Sequence, residues 1–202
     1  KTKKNPKKIN SMYLGNECSS KEILSSLKKY NLNYSQPKEI EKKIALILSQ
    51  GKVVAHYNGK MEFGPRSLGN RSILCQASDP SINKTLNDKL NRTEFMPFAP
   101  IVTDKYAKKY FYIKKSSDYK FMTYTCDCKK IMLNEAPAAV HVDKTARPQI
   151  VFKNENFRLY KILEEYRKIT GIAALINTSF NMHEEPIVCS PNDALRAFVS
   201  GK

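Results

Sequence analysis

Two short strand-like runs, residues 53–57 and 72–75, are joined by Gly59-Lys60-Met61-Glu62-Phe63-Gly64-Pro65-Arg66-Ser67-Leu68-Gly69-Asn70-Arg71-Ser72. This stretch constrains the fold more than any other. Its glycines recur too often for a helix and permit backbone conformations closed to other residues. A strand, a long glycine loop and a second strand require a sheet. Gly59, Gly64 and Gly69 let backbone N–H groups approach an anion, and Arg66 and Arg71 add forked donors that suit phosphate. From this pattern alone, a phosphate loop and a tight loop paired with surface carboxylates are equal readings.

The remaining periodicities supply helices for that sheet. Ser19-x-x-Glu22 is a capping box that opens a helix with Ile23, Leu24 and Leu27 on one face. Pro37 is placed as the first residue of a second helix carrying Ile40, Ile44, Ile47 and Leu48, stopped by Gly51. Asp79-Pro80 starts a third, with Ile82, Leu86 and Leu90 inward, and residues 98–102 read as a strand. Strands are expected at 121–125 and 137–142, the second at an edge because of Pro137. The longest helix is expected over 154–170 and ended by Gly171, with an apolar strand at 172–176, a loop at 177–186 and a helix starting at Ser190-Pro191-Asn192-Asp193. Strands and helices interleave without a strict repeat, so the fold class is α/β (α+β) with a mixed sheet.

Charge narrows the partners. The 202 residues carry a formal net charge of +16, which favours anionic ligands. Lys1, Lys3, Lys4, Lys7 and Lys8 crowd residues 1–12, which read as a basic linker preceding one domain at 13–202. Nucleic acid is the competing anion. The lack of tryptophan, and of tyrosines among the basic loops, argues against it. The cysteines Cys18, Cys75, Cys126, Cys128 and Cys189 show no disulfide framework, which points to a reducing, cytoplasmic location. Cys126-Asp127-Cys128 lacks the second pair that a zinc site requires. No apolar run approaches the ~20 residues that span a bilayer, and the start has no signal-peptide character.

Three further loops share the first one's chemistry. Lys89-Leu90-Asn91-Arg92-Thr93-Glu94-Phe95-Met96-Pro97-Phe98-Ala99-Pro100 is a basic helix end, or a helix C-terminus with dipole-favoured cations. In His141-Val142-Asp143-Lys144-Thr145-Ala146-Arg147, a strand would turn His141 and Asp143 to one side. They orient a substrate or metal, or form a hydrogen-bonded polar pair. Asn177-Thr178-Ser179-Phe180-Asn181 follows a buried strand, where open α/β sheets bind ligands, and reads alternatively as an Asx/Ser turn. No Walker loop, dinucleotide fingerprint or nucleophile elbow is present. The inventory of cations and small polar groups suits positioning of phosphates rather than covalent catalysis.

Taken in order, these segments resemble the carbamoyltransferase family. The carriers are Met61 through Leu74, Pro97-Phe98-Ala99-Pro100, the His-Val-Asp-x-Thr-Ala-Arg run, and Asn177-Thr178-Ser179-Phe180-Asn181 with Glu185-Pro186-Ile187-Val188. The resemblance is to the C-terminal domain and runs from about Tyr13 to the end. It implies a YrdC-like twisted mixed β-sheet flanked by helices, with a basic concave nucleotide-binding face. It implies formation of carbamoyl-adenylate from carbamoyl phosphate and ATP. An N-terminal domain with its own bound metal would pass the carbamoyl group to a small-molecule or sugar hydroxyl. By motif position, Arg66, Arg71, Arg92 and Arg147 are the catalytic cations at the phosphates or carbamoyl oxygens, and Lys60 and Lys89 are secondary. Thr178, Ser179 and Asn181 bind phosphate, and His141 and Asp143 line the carbamoyl phosphate pocket. Magnesium rides on the triphosphate, with no protein metal ligand identified. Many family members carry Lys at Asn91, Arg at Met96 and Gly at Lys144. The alternatives are a basic YrdC-like RNA-binding module and a threonylcarbamoyl-adenylate synthase, which the Gly-Pro-Arg and His-Val-Asp segments fit less well.

Overall fold

A computed structural model describes residues 9–89 and 98–201. Its centre is a mixed five-stranded sheet in the order β1-β2-β6-β3-β5, formed by β1 (Val54–Tyr57), β2 (Arg71–Gln76), β3 (Ala99–Thr103), β5 (Gln149–Val151) and β6 (Ala174–Ser179). All pairings are antiparallel except β3 with β5. A two-residue strand elsewhere, Cys126–Asp127 (β4), pairs with residues Thr145–Ala146.

The central strands are apolar on both faces, so helices must cover both. Leu74, Ile101, Val151 and Leu175 face one core, packed by α2 (Ile40–Ser49) and α6 (Phe157–Thr170). Ile73, Cys75, Val102, Ile150, Ala174 and Ile176 face the other. That side is covered by α3 (Ile82–Lys89), α4 (Asp104–Tyr110), α5 (Lys130–Glu135) and α7 (Pro191–Ser200). The first helix, α1 (Ser20–Lys29), lies beside α7. This is the sheet flanked by helices that the sequence led us to expect.

Local chemistry sets the helix ends. Ser19 with Glu22, and Ser190 with Asp193, form complete capping boxes. Asn156 caps α6 through Leu159 N–H, and Gly171 ends it at φ 78°. The second helix begins at Ile40, beyond a turn that follows Pro37, rather than at Pro37 itself.

Three expectations are corrected. Residues 121–125 are not a strand, because Met122 takes φ 53° and turns the chain. Residues 137–142 are not a strand either, since Pro137–Ala139 form a 3-10 turn whose end is tied by Val140 N–H to Pro137 O. The strand expected at 172–176 is β6, which runs on to Ser179, so the following loop opens at Phe180. Met12 lies within the expected linker yet packs against the α2/α6 core.

His56, 5% exposed, holds the carbonyl of Gly69 through Nδ1 at 2.5 Å. Burial depresses its pKa to about 4, with the Gly69 hydrogen bond opposing and nearby Arg158 and Arg71 assisting. Between this value and the ordinary ~6.5 the unfolded chain binds a proton that the folded one refuses. Stability is therefore full above about pH 6.5 and falls by on the order of 3 kcal/mol by pH 4. Chemical denaturation between pH 7 and 4 should show this loss, and His56→Gln should flatten it. An equal slope in both proteins would remove His56 from the account.

Candidate functional site: a cationic cavity at the end of β6

The glycine loop between β1 and β2 is organised by one buried carboxylate. Glu62 Oε1 accepts from the backbone N–H of Leu68 at 2.6 Å, Asn70 at 2.7 Å and Arg71 at 3.2 Å. The Leu68 carbonyl accepts from Tyr13 Oη at 2.9 Å and Gln149 Nε2 at 2.7 Å. Gly69 N–H donates to Ser72 Oγ at 2.9 Å. Gly69 sits at φ 111°, and a Cβ there would overlap Leu159 Cδ2, so both backbone and packing require glycine. Thus anchored, the loop presents Arg66 and Ser67 to a cavity of about 400 Å³.

Sheet pairing brings the other walls. Thr178 and Ser179 end β6 opposite Ile73 and Ser72 of β2. With Asn181, they line the cavity together with Arg147, two residues before β5. Asn181 Nδ2 donates to the carbonyls of Met182 at 2.8 Å and Glu185 at 3.0 Å, which shapes the turn. Phe98 and Met122 add an apolar wall. Burial, then the charge of Arg66, lower Arg147 from the usual guanidinium pKa, and Arg147 Nε has no hydrogen-bond partner among the described residues. Arg147 is thus partly desolvated beside a second cation, and an anion bound there would relieve it.

The structure brings Arg66, Arg147, Thr178, Ser179 and Asn181 together around one cavity. It places other candidates elsewhere. Arg71 is fully buried, and its guanidinium donates to the carbonyls of Asn58 at 2.8 Å, Asn70 at 3.0 Å and Gly59 at 3.1 Å. It also lies 3.7 Å from the Tyr57 ring centroid. It ties the loop down from inside rather than facing the cavity. His141 and Asp143 are not part of the cavity wall. They close a turn in which Thr145 Oγ1 meets His141 Nδ1 at 3.0 Å and Asp143 Oδ1 at 2.7 Å. Those Thr145 bonds lower the Asp143 carboxyl below its usual range. Lys144 completes the turn at φ 64°, in the left-handed region that favours glycine. Lys60 is exposed and bonds Asn70 through its backbone carbonyl. Arg92, Asn91, Met96 and the Lys89 side chain lie outside the described residues.

Sequence reasoning missed Ser67, Asn177 and His183 on the cavity wall. All three lie in quoted motif segments or beside them, but nothing in their spacing separated them from turn residues. Among the described residues, no group of three or more His, Cys, Asp or Glu is placed to hold a metal. The Cys126 and Cys128 thiols are pushed up to about 12, chiefly by burial. No helix among them is long and apolar enough to cross a membrane.

The fold is that of YrdC-like domains. Full-length HypF in its phosphate- and nucleotide-bound form superposes with a TM-score of 0.58 at 19% identity, over 84% of this chain and 21% of HypF. A variant of P. abyssi Sua5 gives a TM-score of 0.56 at 11% identity, over 80% of this chain and 44% of that one. The chain belongs to the carbamoyltransferase family: residues 45–202 match the model described as carbamoyltransferase C-terminus. An uncharacterized protein of Methanocaldococcus jannaschii, MJ1051, is 36% identical over 95% of this chain and 38% of its own length. The nodulation protein NolO of Bradyrhizobium diazoefficiens is 33% identical over 93% of this chain and 34% of its own. The chain therefore spans little more than a third of the length of these relatives.

Inorganic pyrophosphate should raise the thermal midpoint of this chain, and Arg66→Ala or Arg147→Ala should each weaken its binding by roughly 10- to 100-fold, since each removes a charge-assisted contact. Lys60→Ala should leave it unchanged. Calorimetry at fixed salt reads all three. Unaltered binding in both arginine variants would contradict this assignment.

Proposed function

We propose that this chain is the carbamoyl-adenylate-forming half of an O-carbamoyltransferase, using ATP and carbamoyl phosphate. The observation that carries this reading is the convergence of Arg66 and Arg147 with Thr178, Ser179 and Asn181 around one polar cavity in a carbamoyltransferase C-terminal fold. The HypF structure of the same fold is itself described as phosphate- and nucleotide-bound.

Carbamoyl phosphate first yields carbamate and inorganic phosphate with water. A carbamate oxygen then bonds to the α-phosphorus of ATP while the bond to the β-phosphate oxygen breaks, giving carbamoyl-AMP and pyrophosphate. Such a transfer needs alignment and charge neutralisation, and no protein nucleophile. Arg66 and Arg147 hold the phosphate oxygens, and Thr178 and Ser179 present hydroxyls from the end of β6. Asn181 maintains the turn behind them. Magnesium carried by the triphosphate would supply further neutralisation of charge beside Arg66 and Arg147. The donor set fits that role, because the described residues of the cavity supply cations and neutral donors, and the carboxylate of Glu184 stands outward at 86% exposure. The carbamoyl group then passes to a hydroxyl acceptor held by an N-terminal domain.

Incubation of the chain with ATP, Mg²⁺ and carbamoyl phosphate should give pyrophosphate and carbamoyl-AMP, detected by mass spectrometry and lost in Arg66→Ala. ATP binding without product would place the chemistry in a larger assembly. Absence of both product and ATP binding would sink the reading.

A further inference from the structure

Asn177, on β6, lines the cavity and is 1% exposed. Both hydrogens of its amide are used. Nδ2 donates to the Ser67 carbonyl at 3.2 Å and to Gln149 Oε1 at 2.8 Å. Gln149 is oriented in turn, because its Nε2 donates to the Leu68 carbonyl at 2.7 Å. Turning either amide over would set oxygen against oxygen, so the order Leu68 carbonyl, Gln149 amide, Asn177 amide has one direction. The series ends at Asn177 Oδ1, a buried acceptor with no hydrogen-bond partner among the described residues.

An acceptor withdrawn from both water and protein calls for a donor from a ligand. The ionised phosphate oxygens of ATP and carbamoyl phosphate accept and do not donate. Among the described residues, a second buried polar atom lining this cavity without a hydrogen-bond partner has the opposite polarity: Arg147 Nε, a donor, two residues before Gln149. A donor and an acceptor lining one cavity complement a primary amide. Its carbonyl takes the Arg147 N–H, and its NH₂ group gives a hydrogen to Asn177.

We infer that Asn177 determines specificity for the carbamoyl group by accepting a hydrogen bond from its NH₂. The inference rests on the reading that carbamoyl phosphate occupies this cavity. It explains how a site rich in cations distinguishes carbamoyl phosphate from other acyl phosphates, whose charge is the same. A site with an acceptor built for an N–H rejects a ligand that lacks one, because the acceptor is then left unpaired.

Acetyl phosphate tests this directly, since a methyl group replaces the amino group and the phosphate is unchanged. Calorimetry on the chain should give a Kd for carbamoyl phosphate about tenfold or more below that for acetyl phosphate. Asn177→Leu should abolish the preference, so that carbamoyl phosphate and acetyl phosphate bind with equal affinity. Equal affinity for the two ligands in the unsubstituted chain would overturn the inference and leave the phosphate-site reading standing. Binding of neither would overturn both. Loss of ATP affinity in Asn177→Leu, with carbamoyl phosphate unaffected, would assign the acceptor to the purine amino group and overturn the inference as well. The wild-type comparison decides the matter even where the variant fails to fold.

Discussion

The site depends on one buried carboxylate. Glu62 Oε1 gathers the N–H groups of Leu68, Asn70 and Arg71, donors that a turning backbone would otherwise leave unpaired inside the protein. With those three positions held, the Leu68 carbonyl is free to accept from Tyr13 and Gln149, and Gly69 can pack against Leu159. Arg71 then secures the same loop from beneath through the carbonyls of Asn58, Gly59 and Asn70. Charge is thereby spent on architecture at Glu62 and Arg71, so that Arg66 can extend from a fixed backbone.

Preorganisation of this kind is what phosphoryl chemistry asks of a protein, because positioned dipoles and charges cost no reorganisation when the reaction occurs. The cavity combines two levels of it. Arg66 and Arg147 supply the cavity's positive charge, with Arg147 already displaced from its ordinary pKa by burial and by its neighbour. The amide series from Leu68 through Gln149 to Asn177 supplies direction. Cations alone confer affinity without identity, whereas an oriented acceptor distinguishes ligands of equal charge.

Local rules recovered much of the fold. Ser19 and Ser190 announced their helices because capping is decided within four residues. Gly171 ended α6 for the same reason. Pairings decided at long range were hidden. Residues 149–151 join β3 in parallel, and Cys126–Asp127 finds its partner at Thr145–Ala146, with no alternation long enough to read. The site shows the same division. Arg66 and Arg71 look alike in sequence, five positions apart in one glycine loop. Their fates differ because Arg71 is the first residue of β2, with its side chain turned under Tyr57, while Arg66 lies on the exposed arc before it. His141 and Asp143 were expected on a strand. The positive φ of Lys144 makes them a turn, in which both bond to Thr145.

The central claim is that the arginines divide into a pair that meets ligand and one that holds the loop. NMR of the Nε–H groups, during titration of the chain with inorganic pyrophosphate, tests it most directly. The account predicts that the Arg66 and Arg147 signals shift to saturation together while that of Arg71 stays in place. A shifting Arg71 signal, with Arg66 and Arg147 unmoved, would contradict it.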